Sequence, residues 1–394
     1  MFKGKTVVIG VTGSVAAYKA VYLSRLFVKQ NAEVHIILTK NGAEFITPLT
    51  FESLIGTKCL TDTFDRNFEF DIKHISLAKK ADLFIVAPAS ANIIGKIAGG
   101  IADDMLSTTI MAADCPRIIA PAMNTNMFRN SVVQENIQKL KRHGYKIIEP
   151  EKGLLACGDT GEGKFPEPEF IFEYALHEIA VNKDMKGKRV IVTAGPTREA
   201  FDPVRFISNH STGKMGYALA KECIRRGAEV TLITGPVSLK PPMFADVVRV
   251  SSAEEMYNEV IKRFDICDCI FKAAAVCDYT PINISDNKIK KSGEDMSVSL
   301  KRTKDILKTL GERKKNQFIC GFSMETENLL ENSVKKLKEK NADMIIANNL
   351  KTEGAGFGTD TNVITIITEN DVRKLPKMSK DDAAREIINE VLKR

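Results

Sequence analysis

Two doubly wound, Rossmann-like α/β units in one chain are the fold that this sequence predicts, and three observations predict it. Apolar strand-like runs end in glycine turns at GKTVVIGVTG, residues 4–13, and at GKRVIVTAG, residues 187–195. Each is followed by a helical stretch and then by a second apolar run, NAEVHIILT or GAEVTLITG. The 394 residues, 44% of them hydrophobic, exceed one ordinary core and suffice for two.

In the first unit, taken as 1–183, continuous apolar runs predict strands at 5–11, 33–39, 82–87, 117–120 and 145–148. Parallel strands covered by helices on both faces are apolar throughout, and the stretches between these runs have helical spacing. This alternation is the βαβ signature. LACGDTGEGKFPEPE, 155–169, is rich in glycine, proline and acid and predicts a mobile loop or flap. A helix over 170–181 closes the unit, and polar residues 182–186 read as a linker. In the second unit, taken as 184–394, strands are predicted near 188–193, 229–233, 246–250, 268–273, 318–322, 343–347 and 362–367. Ser252 and Glu255 predict a capped helix start, and the last helix begins after Ser379. Between 278 and 302, Lys288, Lys290 and Lys291 lie among turn-formers and predict a basic lid.

Composition excludes several classes. The formal charge of +7 comes from distributed lysines with no basic run interleaved with aromatics, so small anionic ligands explain it without nucleic acid. Eight cysteines are scattered, at 59, 115, 157, 223, 267, 269, 277 and 320, without CxxC or zinc-ribbon spacing. Disulfides and structural zinc are not expected. No apolar run approaches the roughly 20 residues that span a bilayer, and residues 1–5 lack a signal-peptide pattern. The expected location is the cytoplasm, with no membrane partner.

Polar residues beyond the carboxyl ends of parallel strands are where ligands of such folds bind. Gly13 and Ser14 open a helix after the first strand, where free amides and the helix dipole favour a phosphate. The turn is not GxGxxG and no acid ends the second strand, which argues against a nicotinamide cofactor. VAPASAN, 86–92, places Ser90 and Asn92 at another strand end. APAMNTNMF, 120–128, places Asn124 at a third, where it either caps a helix starting near Thr125 or faces a ligand. His74 precedes an amphipathic stretch, and a lone histidine there more often caps a helix or faces solvent. Cys157 sits between glycines and acid in a polar loop with no core to fill, which favours a chemical role. In the second unit, TGKM is not a Walker loop, because Ser208 and Met215 stand where GxxxxGK[ST] needs glycine and a hydroxyl. Gly213 and Gly216 instead open a helix against a phosphate or allow close packing.

GSVAAYK, PASAN, ADDMLSTT and PAMNTNMF, in this order, resemble the flavin-containing cysteine decarboxylases. With His74 and ACGDTGEGK the resemblance narrows to 4′-phosphopantothenoylcysteine decarboxylases, over nearly all of residues 1–181. It implies FMN, with its phosphate near Ser14 and with Gly13, Thr39, Ser90, Asn92, Ser107 and Met123 around it. It also implies transient oxidation of the cysteinyl group to a thioaldehyde, an electron sink that lets CO2 leave, followed by return of the hydride. Asn124 then orients the reacting carboxylate, His74 assists proton transfer, and Cys157 on the flap protonates the enethiolate.

AGPTREAFDPVRFISNHSTGKMGYALA (194–220), KAAAVCDY, NKIKK, GFSMET and KLKEKNADMIIANN resemble the bacterial, CTP-using phosphopantothenate–cysteine ligases over about 187–394. The resemblance implies that CTP with Mg2+ converts the carboxylate to an acyl cytidylate, from which the cysteine amine displaces CMP. It places Asn209 and Arg205 on the substrate, and Ala273, Ala274, Ala275, Asp278, Lys288, Asp305, Ile306, Phe322, Lys336 and Lys340 on the nucleotide, with Asp278 at the metal. RTKDI, 302–306, departs from the KNPDI-like sequence of many relatives, which leaves Arg302, Thr303 and Lys304 without an assigned role. The order of the two halves matches bifunctional enzymes of coenzyme A synthesis. The resemblance further implies a homo-oligomer, a dodecamer built from trimers of the first domain and dimers of the second. A non-catalytic flavoprotein on the same scaffold is the competing reading; His74, Asn124, Cys157, Asn209 and Lys288 are all present and disfavour it.

Overall fold

The computed structural model describes residues 2–64, 73–156, 158–179, 182–290, 296–325, 328–349 and 358–393. It divides into two compact units, Met1–Asn182 and Lys183–Arg394. Among the described residues, no helix is long and apolar enough to cross a membrane.

The first unit is built on a parallel sheet of β1 (Thr6–Val11), β2 (Glu33–Leu38), β3 (Leu83–Ala89), β4 (Arg117–Pro121) and β5 (Lys146–Ile147), in the order β2-β1-β3-β4-β5. Every residue of β1 and β3 is buried, as strands covered on both faces require. Val7, Ile9 and Val11 point into one core with α1 (Ala17–Lys29) and α9 (Pro168–Ile179), where Phe2, Phe27 and Phe172 pack ring to ring. Val8 points into the other, formed by α4 (Lys73–Lys80), α5 (Ala91–Gly99), α6 (Met105–Ala112) and α8 (Ser131–Arg142). Short helices α2 (Lys40–Ala43), α3 (Pro48–Ile55) and α7 (Thr125–Arg129) follow strand ends. The order reverses between β1 and β3, which opens a crevice beyond their carboxyl ends.

The segment expected as a loop at 155–169 is more ordered than its composition suggests. β6 (Glu151–Leu154) and β7 (Thr160–Lys164) form an antiparallel hairpin, and the closing helix starts at Pro168 rather than 170. Proline at a first helical position forfeits no hydrogen bond.

The second unit carries an eight-stranded sheet, ordered β12-β11-β8-β13-β16-β17-β19-β20. Its strands are β8 (Arg189–Ala194), β11 (Glu229–Thr234), β12 (Asp246–Arg249), β13 (Cys269–Lys272), β16 (Phe318–Glu325), β17 (Met344–Asn349), β19 (Ile364–Thr368) and β20 (Val372–Lys374). β19 and β20 run antiparallel at one edge. The order reverses between β8 and β13. Helices α10 (Lys214–Arg225) and α14 (Lys380–Val391) cover one face, and α11 (Ala253–Phe264), α12 (Ile306–Arg313) and α13 (Leu329–Glu339) the other. Ser252 caps α11 as expected, while the Glu255 carboxylate reaches Ser251 N–H rather than that of Ser252. Three two-stranded pairs stand apart from the sheet: β9 (Arg198–Ala200) with β10 (Phe206–Ser208), β14 (Tyr279–Pro281) with β15 (Leu300–Arg302), and β18 (Thr361–Asn362) with β21 (Met378–Ser379). The predicted lid is therefore closed at its base by β14 and β15, and the strand expected at 362–367 divides into β18 and β19.

Candidate active sites

In the first unit a cleft of about 390 Å³ opens at the switch point, lined by Thr12, Gly13, Thr39, Asn41, Ser90 and Asn92 among others. Thr12 Oγ1 donates to Pro88 O at 2.8 Å and accepts Ser90 N–H at 2.9 Å, which ties the ends of β1 and β3 together. Ser90 caps α5 without a side-chain hydrogen bond, so its hydroxyl is left for a ligand. Thr39 caps α2, accepting Gly42 N–H at 3.1 Å. At Gly13 a Cβ would lie 2.8 Å from that of Asn41, so only glycine keeps the turn this close. The helix that follows has no acid in its first turn to repel an anion; its Ala17 and Lys19 amides are bonded to Ser14 O and Ala16 O, each at 2.9 Å, so an anion here meets the Gly13–Ser14 turn itself. These features fit a flavin phosphate and the polar edge of its ring. Lys96, also on this cleft, bridges Asp103 at 2.7 Å and Asp104 at 2.8 Å, and both acids hold its pKa up.

A contiguous cleft of about 510 Å³ shares Gly13, Ser90, Ala91 and Met127 with the first and adds Ser14, Met123, Asn124, Leu154 and Phe165. Asn124 is a helix cap, as one sequence reading held: Oδ1 accepts Asn126 N–H at 2.8 Å. Its amide also lines this cleft, so capping does not remove it from a ligand. The hairpin is laid over it. Met123 N–H donates to Gly163 O at 3.1 Å, and a Cβ on Gly163, at φ +122°, would meet Met123 O at 2.2 Å. Asp159 Oδ2 accepts from the Asn124 amide at 3.5 Å, and Leu155 N–H closes the hairpin tip onto Asp159 O at 2.8 Å.

The remaining predicted residues divide. Cys157 lies outside the described residues. Among the described cysteines burial pushes Cys59 and Cys267 up to about 12, so neither supplies a thiolate. His74 is half-buried within the first turn of α4, not before it, and lines neither cleft. Ser107 is fully buried and does not line the cleft, although Asp104, Met105 and Leu106 do; its hydroxyl serves the capping box with Asp104 at the start of α6.

In the second unit a cleft of about 460 Å³ lies beyond β8, β13, β16 and β17. Asn209, Ala273, Ala274, Ala275, Asp278, Phe322 and Lys336 all line it. Asn209 Nδ2 donates to Ala275 O at 3.0 Å, which fixes its amide against the alanine run. Lys336 Nζ donates to Phe322 O at 3.0 Å. Gly213 starts α10 in the left-handed region, with no side-chain cap and no acid in the first turn. Lys272, which sequence reading passed over as part of a strand, lines the cleft at the end of β13; burial and the Lys336 charge push it down to about 8.

Five of the expected ligands, Arg205, Lys288, Asp305, Ile306 and Lys340, do not line this cleft. The Arg205 guanidinium forks onto Asp202, at 2.9 and 2.5 Å, and donates to Ile289 O at 2.8 Å, which holds the Asp202 carboxyl far below its usual range. Arg205 thus anchors the segment that carries Lys288. Lys288 itself is exposed and does not line the cleft. Lys340 is paired with Asp305 at 2.8 Å, and Asp305 also caps α12. Ile306 is in the core. Thr303 donates to Cys277 O and, through its backbone, to Asp278 O, so it steadies the Asp278 turn.

Residues 1–180 match the Flavoprotein family model, and residues 185–394 match the model of the DNA/pantothenate metabolism flavoprotein C-terminal domain. Over 99% of its length the chain is 48% identical to the coenzyme A biosynthesis bifunctional protein CoaBC of Bacillus subtilis, covering 97% of that protein. The chain belongs to the coenzyme A biosynthesis bifunctional family. A Haemophilus influenzae member is 42% identical, over 99% of this chain and 98% of its own. The crystal structure of a C-terminal domain of the same family covers 54% of this chain and 97% of that one, at 42% identity and a TM-score of 0.47.

Proposed function

We propose that the chain joins cysteine to 4′-phosphopantothenate with CTP in its second domain, 184–394, and decarboxylates the product to 4′-phosphopantetheine with FMN in its first, 1–183, in the cytoplasm. The observation that carries this reading is the pair of clefts, each at a topological switch point and each lined by polar residues of its own predicted chemistry.

In the first domain the Gly13–Ser14 turn would hold the FMN phosphate, with Ser90 and Asn92 beside the bound flavin. FMN when bound supplies a reversible two-electron acceptor. Asn124 presents its amide to the substrate carboxylate, and the hairpin anchored on Met123 excludes water and brings Cys157 to the enethiolate carbon that it protonates. His74 lies off the cleft of its own chain, which supports a site completed by a neighbouring copy. Exposed Val15, Tyr18, Tyr22, Phe45 and Leu49 on this domain supply an apolar face for a trimer. Exposed Phe206, Ile207, Tyr279, Ile282 and Leu300, on or beside β10, β14 and β15, supply one for a dimer, and twelve copies satisfy both.

In the second domain a triphosphate meets Lys272, Lys336 and the amides of α10. Mg2+ travels with its phosphates, with Asp278 as the carboxylate on the lining of the cleft. No cluster of three metal-ligating side chains occurs among the described residues, which suits an ion held mainly by substrate oxygens. Lys288, carried by the Arg205-anchored segment, closes over the leaving pyrophosphate. Lys288→Gln should abolish pyrophosphate release from CTP and 4′-phosphopantothenate and leave decarboxylation of supplied 4′-phosphopantothenoylcysteine intact. Cys157→Ser should do the opposite, still losing CO2 but accumulating the enethiol. Loss of both activities in either variant would contradict the division of labour.

A further inference from the structure

The floor of the second cleft holds three polar side chains that no step above uses: Asn348 on β17, Asn362 on β18 and Lys380 at the start of α14. Strand register gathers them. Asn348 lies opposite Ile364, two residues beyond Asn362, and Asn362 lies opposite Met378, two residues before Lys380. Their exposures are 6%, 4% and 7%, so all three are more than nine-tenths buried.

Buried polar atoms are nearly always partnered. Asn348 Oδ1 is not: it accepts no hydrogen bond from the described residues. Asn362 Oδ1 takes Val363 N–H at 3.0 Å, while its amide reaches Met215 Sδ at 3.9 Å, a weak acceptor. Lys380 donates to Thr359 O; burial and the nearby Lys214 charge disfavour its ammonium, and Asp360 favours it. Lys214 is paired with Asp360 at 2.7 Å, so the two lysines and one carboxylate leave a net single positive charge.

The floor therefore offers an unmet acceptor beside donors with positive charge. A ligand that satisfies both carries an N–H group and an anionic oxygen a few ångströms apart, as an α-amino acid does. We propose that Asn348, Asn362 and Lys380 seat the amino-acid substrate, with Asn348 Oδ1 taking the amine and Asn362 and Lys380 the carboxylate. This assignment rests on the ligase reading of the cleft. An amine that donates one N–H to a neutral carbonyl keeps its nitrogen lone pair for attack, and Asn209 and Ala275 line the same cavity. Met215 and Met324, also on the lining, give a polarisable apolar flank suited to a thiol.

The test uses Asn348→Leu in the full-length, FMN-loaded protein. The KM for cysteine should rise at least tenfold, about 1.4 kcal/mol. The burst of pyrophosphate from CTP and 4′-phosphopantothenate without amino acid should be unchanged, as should hydroxamate formation with hydroxylamine, which has no carboxylate to seat. Lys380→Met should give the same split. Asn348→Asp keeps the acceptor and should hold the KM for cysteine within about threefold, while stabilising the ammonium and moving the rise in rate to higher pH. A higher KM for CTP or a reduced burst in Asn348→Leu would assign the floor to the nucleotide and overturn the proposal. A normal burst with an unchanged KM for cysteine would overturn it too. Absence of any burst from the wild-type protein would overturn the ligase reading itself.

Discussion

Replacing Asn124 by alanine removes a helix cap and a ligand donor together, and a second substitution separates them. The cap is the 2.8 Å bond from Asn126 N–H to Oδ1, and its loss costs about 1 kcal/mol, in a range of about 0.5–2. For a domain of this size that lowers Tm by roughly 2–4 °C. The 3.5 Å approach to Asp159 adds little at that distance. A hydrogen bond to a charged carboxylate contributes about 1.5–3 kcal/mol, so its loss should slow decarboxylation roughly 10- to 150-fold. Asn124→Ser retains a good cap but lacks the amide donor. The expected pattern is a Tm near that of the wild type for Ser and lower for Ala, with CO2 release from 4′-phosphopantothenoylcysteine depressed in both. Thermal melts and single-turnover CO2 release on the same FMN-loaded preparations measure the two effects. If Ser restores decarboxylation along with stability, Asn124 acts through the cap alone and its role on the carboxylate is refuted.

Gly163→Ala drives a Cβ to 2.2 Å from Met123 O at a strained φ, so the hairpin should lift; decarboxylation should fall at least tenfold while bound FMN absorbance persists, and normal activity would show that the hairpin does not cover the site. Lys272, pushed down to about 8, should regain its proton beside a triphosphate, so CTP affinity should weaken as pH rises through 8 toward the ordinary value near 10.4. Titration calorimetry should find proton uptake on binding and a flat profile in Lys272→Met; the same pH dependence in both proteins would remove Lys272 from the nucleotide. Arg205→Ala and Asp202→Asn should both reduce pyrophosphate release, because either breaks the anchor of the Lys288 segment. Full activity in Asp202→Asn with loss in Arg205→Ala would instead put Arg205 on the substrate.

Strands covered on both faces left the clearest trace in the sequence. β1, β3, β8 and β13 are mainly apolar runs because helices cover both faces of the sheets. The small antiparallel pairs left none: β6 and β7 read EKGL and TGEGK, polar and glycine-rich, and the hairpin is tied to Met123 through Gly163 O. The place of Ser90, Asn92 and Asn124 on the cleft linings was legible because it follows from the strand before each, whereas Asn209 was reached only through the family resemblance. That Arg205 and Lys340 pair with Asp202 and Asp305 was not legible, because a charged residue near a site looks the same in sequence whether it meets a ligand or an acid. Lys272 and Asn348 were missed for the complementary reason: each lies near the end of a buried strand, and only the sheet order brings it to the cleft.

The central claim is that one chain carries out both reactions in series. The most direct measurement incubates the purified, FMN-loaded protein with 4′-phosphopantothenate, cysteine, CTP and Mg2+, and follows CMP, pyrophosphate, CO2 and 4′-phosphopantetheine together. The account predicts one of each per turnover and no net flavin reduction. Pyrophosphate without CO2, CO2 only from supplied 4′-phosphopantothenoylcysteine, or no product from either half would contradict it.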